Sequence, residues 1–343
     1  MQDRGEDQNR ILKWSAIALS VIALLVFLFL IQLERYTTIR VLELAQDEVQ
    51  ESQSTGECEE VVEENYLIVQ RGDKSDEISI PLDGTIASTA ITAENHYLNN
   101  QIIILISGAT GDFYKDIVIS GNKLQVRDAV YHMAEDGLHI RFDMDRVYEI
   151  STKYEKKQLT ISLENPKDKY DKIVLLDPDI EHGDITREIA TKTKSLLEET
   201  GIKVYLSGSE QATETESNIA ELAGYIYPDM LIGISLGEDP DAAVLGTKVQ
   251  YDGAYFTPGI TNVMLADLLE HQVTVAIEGK VLGIEDDLQQ EQEQSIPVPA
   301  AYLIAGYRTN PQEYELLCEE QYQQRIAQGI FNAVAEAYEK MGR

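Results

Sequence analysis

The chain has 343 residues, room for about two domains plus attachments at roughly 150 residues per domain. An apolar share of 43% with modest glycine and proline content belongs to a folded protein, not a disordered one. The formal charge of −32 repels phosphates, which excludes nucleic-acid binding, and it excludes docking to an anionic membrane face through a basic patch.

Residues 1–13 are polar, with Arg4, Arg10 and Lys13 among them. Residues 14–33, WSAIALSVIALLVFLFLIQL, contain no ionisable side chain. A helix of about 20 apolar residues spans a bilayer core. A cleaved signal would have an apolar run of only about 7–15 residues and a small-residue cleavage site. The reading is therefore an uncleaved transmembrane helix. The basic residues before it, against Arg35 and Arg40 after it, point to a cytoplasmic N-terminus and extracytoplasmic C-terminal domains. Residues 34–65 read as an acidic linker.

Between 66 and 165 short β-rich runs recur between turn signals. Strands are expected at 66–70, 77–81, 101–106, 116–119, 139–143 and 158–163. Asp83-Gly84, Gly121-Asn122 and Asp136-Gly137 separate them. This pattern predicts an all-β sandwich. It is similar to the AMIN module, which attaches cell-wall amidases to the envelope.

From Lys172 onward strands alternate with helices, the pattern of a βαβ sheet. Strands are expected at 173–177, 203–206, 230–236, 246–251 and 300–305. Helices are expected at 185–200, 214–227, 260–276 and, as one long element, 313–338. Asp184 reads as the cap of the first helix and Gly201 as its stop. The five histidines have no HxxxH or HExxH spacing, and Cys58 and Cys318 make no metal motif or disulfide framework. No GxSxG, phosphate-loop or dinucleotide-binding pattern occurs.

Residues 170–343 carry a set of landmarks in order. Asp177-Pro178 ends the first strand, Leu196-Leu197 and Gly201-Ile202-Lys203-Val204 follow, then residues 228–235 and 246–251, and last residues 299–310, PAAYLIAGYRTN. Together they resemble the zinc-dependent N-acetylmuramoyl-L-alanine amidase domain, which cleaves peptidoglycan between muramic acid and the stem peptide. The resemblance implies a mixed α/β sheet flanked by helices.

It also implies zinc ligands His, Glu and His and a catalytic Glu. The first His falls at Ile180 or is lost with a shortened loop, the second falls at Ser235, the Glu ligand near His182 and the catalytic Glu at Ile304. Ile, Ser and Ile neither bind zinc nor relay a proton in those roles. The expectation is a domain without catalytic residues and without a cofactor, which binds peptidoglycan or a cell-envelope protein, or regulates a cell-wall hydrolase. The alternative is an active amidase holding zinc in a rearranged site. Asp177, Glu181 and His182 are then the nearest candidate ligands, although acids before a helix also simply favour its N-terminal dipole.

Overall fold

The computed structural model describes residues 41–43, 65–72, 76–84, 86–115, 117–155, 157–179, 184–208, 219–253, 259–286 and 298–343. No helix among them is long and apolar enough to cross a membrane, and residues 14–33 lie outside them.

The first part is a β-sandwich. In chain order its strands are β1 (Val41–Glu43), β2 (Asn65–Tyr66), β3 (Ile68–Arg71), β4 (Glu77–Pro81), β5 (Ile91–His96), β6 (Gln101–Ile106), β7 (Val118–Gly121), β8 (Val126–Met133), β9 (Leu138–Met144), β10 (Glu149–Glu155) and β11 (Gln158–Glu164). One sheet has the order β1-β5-β6-β9-β8-β2 and the other β10-β11-β4-β7-β3. Alternation builds the core: Ile102, Ile104, Ile106, Leu138, Ile140 and Phe142 of one sheet meet Ile78, Ile80, Ile119, Leu159 and Ile161 of the other.

Four of these strands, β1, β5, β8 and β10, were not expected from the sequence; β1 lies in the stretch 34–65 read as a linker and pairs in parallel with β5. The β8 pairing shifts register between Val126 and Asp128, which breaks the period of two. The β5 strand buries Asn95, whose amide donates to Tyr148 O at 2.9 Å. The β10 strand opens on a buried glutamate, Glu149.

The second part is an α/β domain. Its strands are β12 (Ile173–Pro178), β13 (Lys203–Leu206), β14 (Met230–Gly237), β15 (Thr247–Tyr251), β16 (Val281–Asp286) and β17 (Ala300–Tyr307). They form one sheet in the order β13-β12-β14-β17-β15-β16. All neighbours are parallel except β15 and β17. Helices α1 (Asp184–Glu199), α2 (Ile219–Ile226), α3 (Asn262–Ile277), α4 (Pro311–Leu317) and α5 (Glu320–Lys340) surround it. The central strands are apolar on both faces, as in a sheet covered by crossover helices.

The expected single C-terminal helix is two. Asn310 caps α4 by accepting from the Gln312 and Glu313 amides at 3.1 and 3.0 Å, and the helix stops at Cys318 before α5 begins. Asp184 is the first residue inside α1, where its charge favours the dipole, instead of the capping residue before it. Gly201 ends that helix at φ +82°.

The two parts meet along β13, the edge of the α/β sheet. Glu149 is 2% exposed there and accepts from the Tyr205 hydroxyl, from Tyr170 Oη at 3.0 Å and from Lys169 Nζ at 3.1 Å, with Lys203 Nζ 3.7 Å away. The Tyr97 ring meets Tyr205 edge-on at 5.1 Å.

Candidate functional site

Parallel α/β sheets place their chemistry at the carboxyl ends of the strands. Here the register defines that surface. Asp177 of β12 pairs with Gly233 of β14, Gly233 with Tyr302 of β17, and Tyr302 with Gln250 of β15. Paired residues point to the same face, so these four form one row. The row two residues further on is Ser235, Ile304 and Lys248. All seven except Gly233 are half-buried, while the alternating neighbours Leu176, Ile232, Ile234, Ala301 and Leu303 are fully buried. Helices therefore cover the opposite face, and this one is open toward its end.

The side chains on this face are held tightly. Ser207, the residue after β13, donates its hydroxyl to the Asp177 carboxylate. Burial pushes the Asp177 carboxyl above the usual carboxylate range, the nearby charge of Asp179 adds to that, and the Ser207 bond opposes it. Tyr302 leans over Gly233 so closely that a Cβ there would collide with its ring. Burial, with Asp177 and Asp252 nearby, pushes the Tyr302 hydroxyl up to about 12, so it stays protonated. Ser235 donates to Leu303 O at 3.3 Å. Ile304 packs beside Gly237, where an added Cβ would lie 2.9 Å from its Cγ2. The ladder shifts register just past this pair, between Ser235 and Gly237, and so bends the rim of the sheet.

The loop after β12 is tied down at its start. The Asp179 amide donates to Ile234 O at 2.9 Å, and Asp179 O accepts from the buried Thr186 hydroxyl of α1 at 2.7 Å. Ile180, Glu181 and His182 lie outside the described residues. On the far rim Glu238 pairs with Arg308, and Asp239 and Asp241 fold a polar turn by accepting from the Asp241 and Ala243 amides at 2.8 and 2.9 Å.

The structure brings Asp177, Ser235 and Ile304 onto one face. A zinc centre needs three nitrogen, sulfur or carboxylate ligands around one point. At these positions stand a carboxylate engaged by Ser207, a hydroxyl engaged by Leu303 O, and an alkyl group. Among the described residues no group of three His, Cys, Asp or Glu converges on a point. The described side chains alone do not fit a zinc ion. Ser207 was not singled out as a site residue from sequence; its signal was its place one residue beyond a strand that runs level with β12.

A family model for N-acetylmuramoyl-L-alanine amidase matches residues 177–336. No curated protein matches the chain. Similar solved structures include the catalytic domain of the amidase CwlV from Bacillus (Paenibacillus) polymyxa var. colistinus, at 20% identity and a TM-score of 0.42, covering 49% of this chain and 98% of that one. The N-acetylmuramoyl-L-alanine amidase of Clostridium difficile 630 is similar at 21% identity and TM-score 0.43, covering 49% and 97%. The CwlD amidase of Clostridioides difficile, solved in complex with the GerS lipoprotein, is similar at 18% and 0.40, covering 49% and 98%. The matched segment starts at Asp177 and takes in Ser235 and Ile304, so residues 177–336 are similar to the N-acetylmuramoyl-L-alanine amidase family.

Proposed function

We propose that the chain is a membrane-anchored cell-envelope protein whose amidase-family domain binds peptidoglycan without hydrolysing it. One observation carries the non-catalytic reading. Ser235 and Ile304 stand where the resemblance puts a zinc-binding His and the catalytic Glu, and they are direct partners across β14 and β17. The frame that would aim a metal-bound water and a base at one bond is retained. The groups that would hold the metal and move the proton are a hydroxyl bonded to a carbonyl and an aliphatic chain packed on Gly237.

Binding asks less of the face than catalysis does. Hydroxyls at Ser235 and Tyr302 and the Gln250 amide suit sugar hydroxyls and peptide groups. The anchor is the run 14–33, and the β-sandwich, in the place of an AMIN-like module, holds the domain near the wall.

The test is co-sedimentation of the full-length protein in detergent with purified sacculi, alongside an assay for stem peptides released from them. The expected result is sedimentation without release. Release of stem peptides that is lost on chelation would establish the enzyme with a rearranged metal site. Failure to sediment would remove the peptidoglycan reading and leave a protein partner.

A further inference from the structure

Tyr97 of the β-sandwich reaches the end of β13, next to the candidate site. In a parallel pair, alternate residues of the edge strand turn their N–H and C=O toward the neighbour. The Lys203 and Ser207 amides donate inward to Lys172 O and Leu176 O, at 3.0 and 2.9 Å. Leu206, between Tyr205 and Ser207, turns its N–H and C=O away from the sheet. An outward pair of polar groups at a buried edge needs a partner.

Tyr97 of the sandwich is that partner for both. Its hydroxyl donates to Leu206 O at 3.0 Å and accepts from the Leu206 amide at 3.1 Å. Tyr97 is fully buried, and its ring is fixed edge-on against Tyr205. The next residue, Ser207, gives its hydroxyl to Asp177. The line Tyr97, Leu206, Ser207, Asp177 is thus continuous and buried or half-buried throughout.

We propose that Tyr97 is a positioning residue for the Asp177 site: by gripping both outward backbone groups of Leu206 it fixes the end of β13, and with it the Ser207 hydroxyl that orients the Asp177 carboxylate. The sandwich then acts as more than a spacer between membrane and wall, because it sets the geometry of the site in the next domain. The inference rests on the reading of the Asp177–Ser235 face as the binding surface.

The test uses the full-length protein in detergent and the variants Tyr97→Phe, Ser207→Ala, their double mutant, and Tyr170→Phe. The last removes a bond from the same interface without touching Leu206. Hydrogen exchange at Leu206 and Ser207 reads the link with no ligand present. Both amides are expected to be protected in the parent and at least about tenfold faster in Tyr97→Phe, with β12, β14 and the Tyr170→Phe protein unchanged. Unchanged exchange at Ser207 in a folded Tyr97→Phe protein overturns the proposal. If that variant does not fold, the parent decides: fast exchange at Leu206 shows the grip is not made.

Sacculus binding gives the second readout. Ser207→Ala and Tyr97→Phe are each expected to weaken it by up to about tenfold, the scale of one lost hydrogen bond, and the double mutant to be no worse than Ser207→Ala. Additive losses, or a loss equal to that in Tyr170→Phe, would show a general docking effect and overturn the positioning role. A parent that does not bind sacculi, with exchange as expected, would sink the peptidoglycan reading and leave the link from Tyr97 to Ser207 standing.

Discussion

Ser235 and Ile304 are nearest neighbours across the β14–β17 ladder and project from the same face of the sheet. These are the two positions to which the sequence resemblance assigns a metal ligand and a base. Strand pairing alone brings the two together, because partners in register share a face. The pairing depends on backbone and on the apolar residues of the opposite face, Ile234 and Leu303, which are buried. The side chains at Ser235 and Ile304 are therefore free to change while the frame stays.

Gly233 is required by Tyr302. An added methyl at 233 would enter the Tyr302 ring. Gly233→Ala is expected to destabilise by about 1–3 kcal/mol through overpacking. Tyr302→Ala should absorb most of that cost, so a double-mutant cycle by urea denaturation should give a coupling energy of about 1 kcal/mol or more. Additive losses would mean the ring sits elsewhere.

Asp229 ties the chain's end to the base of the sheet. Its carboxylate accepts from the Ile173 amide at 2.9 Å, Tyr338 Oη at 3.1 Å, Lys167 Nζ at 2.9 Å and Arg343 at 2.6 Å. Asp229→Ala strands a buried amide and a buried phenol and is expected to cost about 2–4 kcal/mol. Arg343→Ala removes only a half-exposed partner and should cost under about 1 kcal/mol. Thermal denaturation of the two variants side by side checks the difference; equal losses would contradict it.

The α/β sheet was legible because its strands are continuous apolar runs that end in distinct landmarks, such as Asp177-Pro178 and Gly201. Less visible were features decided by tertiary context. The β16 strand, Val281–Asp286, is a half-exposed edge with Gly283 at φ +95°, and it has no alternating signature. The break between α4 and α5 falls at Cys318 and Glu319, where one helix ends and the next begins inside what reads as one amphipathic run. The sandwich–sheet contact was silent in sequence because its anchors, Tyr97 and Glu149, lie 109 and 56 residues from their partners. A glutamate opening a strand reads as a solvent-facing residue until its lysines are seen.

Two carboxylates near β13 should respond to pH with opposite signs. Burial alone would raise the Glu149 carboxyl, but Lys203, the Tyr205 hydroxyl and Lys169 outweigh it and hold the carboxyl below the usual range. Its folded-state pKa is lowered, so its stabilisation is present above the unfolded pKa and is lost as pH falls through the folded one. Asp177 is raised, first by burial and then by Asp179. Its ionised form is disfavoured in the fold, so stability is gained as pH falls from the folded pKa toward the unfolded one.

At pH 7, Asp177→Asn is therefore expected to raise the melting temperature by a few degrees, and the gain should shrink as pH is lowered toward 4. Glu149→Gln should do the reverse. It leaves Lys203, 7% exposed, without its counter-charge, and should cost about 3–5 kcal/mol at pH 7. That loss should be partly recovered in Glu149→Gln/Lys203→Met and should narrow as pH falls through the lowered folded-state pKa of the parent's carboxylate. Melting curves of the parent and both variants from pH 7 to 3.5 test both signs. A Glu149→Gln protein as stable as the parent at pH 7 would mean that the lysines, not the carboxylate, hold the two domains together.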